Sequence, residues 1–91
     1  MLSEERRKSI LERVSGLLRQ LDPEVFLHDA LLDSTRQQLV LVMQKNDLPL
    51  LVAMRYLDYV SHPDEGLRQL LKDGLAKRTA AARSRRVEAV L

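Results

Sequence analysis

The chain contains no cysteine and no tryptophan, and its only aromatic residues are Phe26, Tyr56 and Tyr59. Without cysteine, disulfides and thiolate metal sites are excluded. The absence also suits a reducing compartment, and a cytoplasmic protein is the expectation. The scarcity of aromatics leaves Leu, Val, Ile, Ala and Met to build a core. At 91 residues the chain lies near the lower end of what folds alone, and small aliphatic cores often gain stability by association. No stretch approaches the roughly 18 apolar residues that a membrane span requires. Residues 1–8 are largely polar and charged, with no apolar run behind a basic start, so no signal peptide is expected.

Signatures of catalysis are equally sparse. Gly16, Gly66 and Gly74 stand alone rather than clustered to cradle a phosphate, and no serine lies in a nucleophile-elbow pattern. His28 and His62 are the only histidines, and neither belongs to a Glu-x-x-His pair. Metal sites on helical scaffolds need several such ligands converging. Glu24 and His28 would share a face at helical spacing, but a surface or capping role suits His28 better than a ligand role. His62, four residues after Asp58 and directly before Pro63, reads as a residue at a helix C-terminus, where a positive imidazole is favourable. The expectation is therefore no enzyme, no cofactor, no metal and no catalytic residue.

What is present is helix signal at both ends of the chain. Ser3 is a good N-cap, followed by Glu4 and Glu5, and Ile10, Leu11, Val14, Leu17, Leu18 and Leu21 form one apolar stripe. Asp22-Pro23-Glu24 reads as the start of a second helix carrying Val25, Phe26, Leu27, Ala30, Leu31 and Leu32. Ser34 with Gln37 matches a capping box, so residues 23–45 form either two helices or one bent one. Pro63-Asp64-Glu65 starts a last helix that buries Leu67, Leu70, Leu71 and Leu75, with Gly74 as a candidate stop.

The middle of the chain is the most apolar. Leu39 to Met43 is one unbroken run and Leu50 to Met54 is another, separated by a turn at residues 44–49. Two such runs around Asn46-Asp47 could form a β-hairpin. Neither run alternates polar with apolar residues, Pro49 would stand at the start of the second strand, and helix formers flank both. A helix over Leu50 to Val60 with one polar stripe of Arg55, Asp58 and His62 is preferred, and a helix so apolar is buried on several sides. It cannot serve as a DNA-reading helix, because base edges demand several polar side chains and Arg55 is nearly alone.

Charge divides unevenly. From Lys72 to Leu91 six basic residues face two acidic ones, giving +4, whereas the chain as a whole carries +2. Such asymmetry marks an interaction tail.

These observations converge on an all-α fold, a bundle of four to five helices completed by oligomerisation. Residues 1–74 are expected to form the helical core, and residues 75–91 a basic C-terminal helix or tail. The surplus of apolar surface points to a protein-binding regulator or adaptor, acting as homodimer or heteromer. Its expected interface comprises Leu41, Met43, Leu51, Met54, Tyr56, Leu57 and Val60. Lys77, Arg78, Arg83, Arg85 and Arg86 are expected to contact a protein partner or phosphate. The alternative function is nucleic-acid binding by this basic segment on a dimeric core.

Overall fold

The computed structural model describes residues 2–90, and the side chains of residues 2–82. The chain runs α1 (Glu4–Leu21), β1 (Val25–Asp33), β2 (Gln38–Lys45), β3 (Leu48–Arg55), α2 (Tyr56–Ser61) and α3 (Asp64–Val90). The three strands form an antiparallel meander in the order β1-β2-β3. The fold is therefore α+β, and the expectation of an all-α bundle is overturned.

The helix expected at 25–32 is strand β1, the run at 39–43 lies in strand β2, and the helix expected over 50–60 is strand β3 followed by one short helix. The physical reason lies in the two faces of the sheet. On β2, Leu39, Leu41 and Met43 are buried on one face, and the β-branched Val40 and Val42 occupy the other. Both faces are apolar, so the alternation that marks a half-buried strand is hidden within a continuous run. Pro49 is accommodated because β3 is an edge strand, where a missing N–H is tolerated. The β2–β3 connection is the Asn46-Asp47 turn, with Asn46 at φ 53°, a left-handed conformation that Asn adopts more readily than most residues.

Asp22 caps the end of α1 rather than the start of a new helix. Its N–H donates to the Leu18 carbonyl at 2.8 Å, and its Oδ1 accepts from the Glu24 N–H at 3.1 Å. Asp and Pro favour turns as much as helix starts, and here the turn feeds a strand. Residues 34–37 likewise form the β1–β2 turn instead of a capping box, with Asp33 Oδ1 accepting the Arg36 N–H at 3.2 Å.

The two long helices together cover one sheet face. Ser3 caps α1 through its Oγ, which accepts from the Arg6 N–H at 3.2 Å. Ile10, Val14, Leu17 and Leu18 of α1 join Leu67, Leu71 and Leu75 of α3 over Ala30, Leu39, Leu41, Met43, Leu50 and Val52. Tyr59 of α2 closes one end of this core. α3 does not stop at Gly74, as its sequence suggests, but passes through it. There the missing side chain is the point: a Cβ on Gly74 would stand 2.8 Å from Val52 Cγ1.

Arg13 ties the helices together. Its Nη1 and Nη2 donate to the carbonyls of Tyr59 (3.2 Å) and His62 (2.9 Å), and its Nε donates to Asp64 Oδ1 at 2.8 Å. The same guanidinium lies 5.0 Å from the centre of the Tyr59 ring. One side chain thus satisfies carbonyls at the end of α2 and fixes the start of α3 on α1. No helix among the described residues is long and apolar enough to cross a membrane.

Candidate functional site: the uncovered sheet face

Residues directly opposite one another on neighbouring strands project from the same face. The register therefore defines four rows on the face away from the helices. They are Asp33–Gln38–Arg55, Leu31–Val40–Ala53, Asp29–Val42–Leu51 and Phe26–Gln44–Pro49. The two middle rows are apolar except for Asp29. Phe26, Leu31 and Leu51 are 62%, 51% and 55% exposed.

The irregularity in β1 shapes one end of this face. Pairing shifts between Leu27 and Asp29, so His28 is an extra residue bulged from the strand. His28 Nε2 lies 3.0 Å from Gln44 Oε1, and the Phe26 ring meets the imidazole edge-on at 4.8 Å between centroids. Beyond the bulge, Asp29 Oδ1 accepts from Arg7 Nε at 2.7 Å and from the Ala30 N–H at 2.8 Å. The Arg7 bond draws the carboxylate toward α1, which packs on the opposite face of the sheet. Chiefly the Arg7 hydrogen bond, and then the Ala30 amide, hold the Asp29 carboxyl below the ordinary carboxylate range.

A second apolar feature lies at the Arg55 end. A groove of about 620 Å³ runs between the β1–β2 turn and α2, lined by Leu32, Arg36, Gln37, Arg55, Tyr56, Leu57 and Val60, among others. Leu57 and Val60 are largely exposed, whereas Tyr56 is half-buried, stacked on Tyr59 with its hydroxyl accepting from Arg6 Nη1 at 3.0 Å. Arg55 borders both the groove and the outer face, held by Asp58 at 3.2 Å.

The residues expected to form an interface thus fall in three places. Leu41 and Met43 are fully buried in the core of a single copy, and Met54 packs beside them. Leu51 lies on the uncovered sheet face, and Tyr56, Leu57 and Val60 belong to the groove. Sequence reasoning missed Phe26, Leu31, Val40, Val42 and Ala53. Their signal was the lack of alternation itself: a strand apolar on both faces needs two coverings. Lys77 and Arg78 are exposed on α3, and Arg78 borders a cleft of about 260 Å³ with Pro49, Leu51 and Ala82. Arg83, Arg85 and Arg86 fall outside the described side chains. The pairing of Glu24 with His28 on a helix does not occur, since His28 stands on a strand.

Among the described residues, no group of three or more His, Asp or Glu is arranged to hold a metal ion. No protein-family model matches the chain, and no curated protein or solved structure does so either.

Proposed function

We propose that this chain is a protein-interaction module whose contact surface is the outer face of its three-stranded sheet. One observation carries the reading: among the described residues, the sheet is apolar on both faces and its helices cover only one. A sheet buries each apolar face against another layer. Contiguous exposed apolar surface of this kind characterises interaction sites. Covering the exposed parts of Phe26, Leu31 and Leu51 would contribute about 1 kcal/mol for each side chain, taking half the value of full burial. The polar ends of the face, Asp33 with Arg55 on one side and His28 with Gln44 on the other, supply the rim that such surfaces have. The function so read is that of an adaptor or regulator acting by occupancy.

Photo-crosslinking tests this directly. Benzoylphenylalanine placed at Leu31 or Leu51 in cells producing the protein is expected to give a discrete adduct. The same group at Glu12, on the exposed side of α1, is expected to give none. Equal labelling at all three positions, or none at any, would overturn the reading.

A further inference from the structure

The geometry points to a second copy of this chain as the occupant of the outer face, packed sheet on sheet about a two-fold axis that runs along β2. This assignment rests on the function proposed above and adds the identity of the partner.

A two-fold along the central strand places β1 of one copy over β3 of the other, with every row keeping its level. Leu31 then lies over the partner's Ala53, and Phe26 over the partner's Pro49. Leu51 lies over the partner's Asp29, whose carboxylate is drawn toward Arg7. Leu31 and Leu51 therefore each meet a small or withdrawn residue, while Val40 and Val42 on the axis meet their own copies. A two-fold across the strands would instead set β1 over β1 with the rows reversed, placing Phe26 over the partner's Asp33 and Pro49 over the partner's Arg55, charge against apolar surface. Sheets pack with their strands nearly aligned and their inner side chains interdigitated, as this arrangement requires.

Asp33 and Arg55 occupy the same row at opposite edges of the sheet, separated by Gln38. The same axis brings each Asp33 opposite the partner's Arg55, twice over, at the rim of the contact. Like charges at those positions would repel, so the pair fixes register as well as attraction.

The chain exposes 6442 Å², about 1,000 Å² more than a compact monomer of its mass. An ordinary stable dimer covers about 800 Å² on each partner. The 27-residue α3 and the exposed Phe26, Leu31 and Leu51 of the outer face both contribute to that excess.

Paired exchanges on exposed residues test the axis. Sedimentation equilibrium at about 100 μM should give twice the 10.5 kDa chain mass, because a dimer of micromolar affinity persists at that concentration. Ala53→Leu alone sets leucine against leucine and should weaken the dimer about tenfold, and adding Leu31→Ala should restore most of the loss. Asp33→Arg alone and Arg55→Asp alone should each weaken it about tenfold, with the double exchange recovering affinity. Circular dichroism of each variant confirms that the fold is retained. The size exchange leaves the Arg36 turn contact and the Asp58 pair untouched, so it decides the matter if the charge variants do not fold. A dimer indifferent to both exchanges, or double variants no better than single ones, overturns the proposed axis. A crosslinked adduct at Leu51 of any mass other than twice the chain overturns the second copy while leaving the interaction reading standing. A monomer that forms no adduct overturns both.

Discussion

Gly74 of α3 lies against Val52 of β3 so closely that a Cβ added to the glycine would stand 2.8 Å from Val52 Cγ1. Val52 is buried, and a β-branched side chain has little rotamer freedom with which to yield. A helix that crosses a strand this closely needs glycine for packing, in spite of glycine's poor helix propensity.

The first prediction follows from that contact. Gly74→Ala gains about 1 kcal/mol of helix propensity, but forcing a methyl group into this gap costs about 1–3 kcal/mol. The variant should be less stable by about 1 kcal/mol in chemical denaturation. Val52→Ala made together with it should cost less than the two changes added, because the second removes the clash. A gain of stability in Gly74→Ala alone would contradict the close approach of α3.

Arg13 gives the second. Three hydrogen bonds from one guanidinium reach the carbonyls of Tyr59 and His62 and the Asp64 carboxylate. Hydrogen bonds to charged groups contribute about 1.5–3 kcal/mol, and the carbonyls at the end of α2 would lose their partner. Arg13→Ala should therefore destabilise the protein by about 2 kcal/mol, lowering Tm by about 10 °C for a chain of this size. Arg13→Lys should recover only part, since an ammonium cannot span all three acceptors. Thermal unfolding followed by circular dichroism reads both, and an unchanged Tm in Arg13→Ala would refute the role given to this residue.

The carboxylates give the third. The hydrogen bond from Lys45 lowers the pKa of Asp22, that from Arg7 lowers Asp29, and that from Arg55 lowers Asp58. A carboxyl depressed in the folded state stabilises above its unfolded value, about 4, and that stability is lost as pH falls through the folded value. The urea midpoint is expected to fall as pH is lowered from 4 toward 2. Replacing Asp22, Asp29 and Asp58 together by Asn should make that decline shallower. An equally steep decline in the triple variant would show that these pairs do not set the acid response.

The ends of the fold were legible in the sequence because each helix there buries a single face. The four-three spacing of Ile10, Val14, Leu17 and Leu21 describes α1, with Ser3 at its cap, and Leu67, Leu71 and Leu75 describe the buried stripe of α3. The middle was misread for a reason that bears on function. Leu39-Val40-Leu41-Val42-Met43 lacks alternation because its outward valines belong to an apolar face of their own. A run apolar in every position fits a buried helix and a two-faced strand equally well. The Asn46-Asp47 turn and the alternate β-branched residues of that run were the local signs favouring the strand.

The interface was half legible for the same reason. A surplus of apolar residues in the middle of the chain signals a surface to be covered, and Leu51, Leu57 and Val60 are indeed exposed. Which of the others are exposed depends on strand register, and Leu41 and Met43 lie on the opposite face from Leu51. A shift of one residue exchanges the faces, so no composition argument can assign them.

The central claim, that the outer sheet face is where this protein meets its partner, is tested most directly by Leu51→Glu. Leu51 is exposed in a single copy, so the substitution should leave the circular dichroism spectrum as it is. In the contact it would bury a carboxylate without a partner, at a cost of several kcal/mol. Sedimentation equilibrium at about 100 μM should find the unmodified protein at twice 10.5 kDa and Leu51→Glu at 10.5 kDa. A folded Leu51→Glu that stays at twice 10.5 kDa, as the unmodified protein does, would contradict the account.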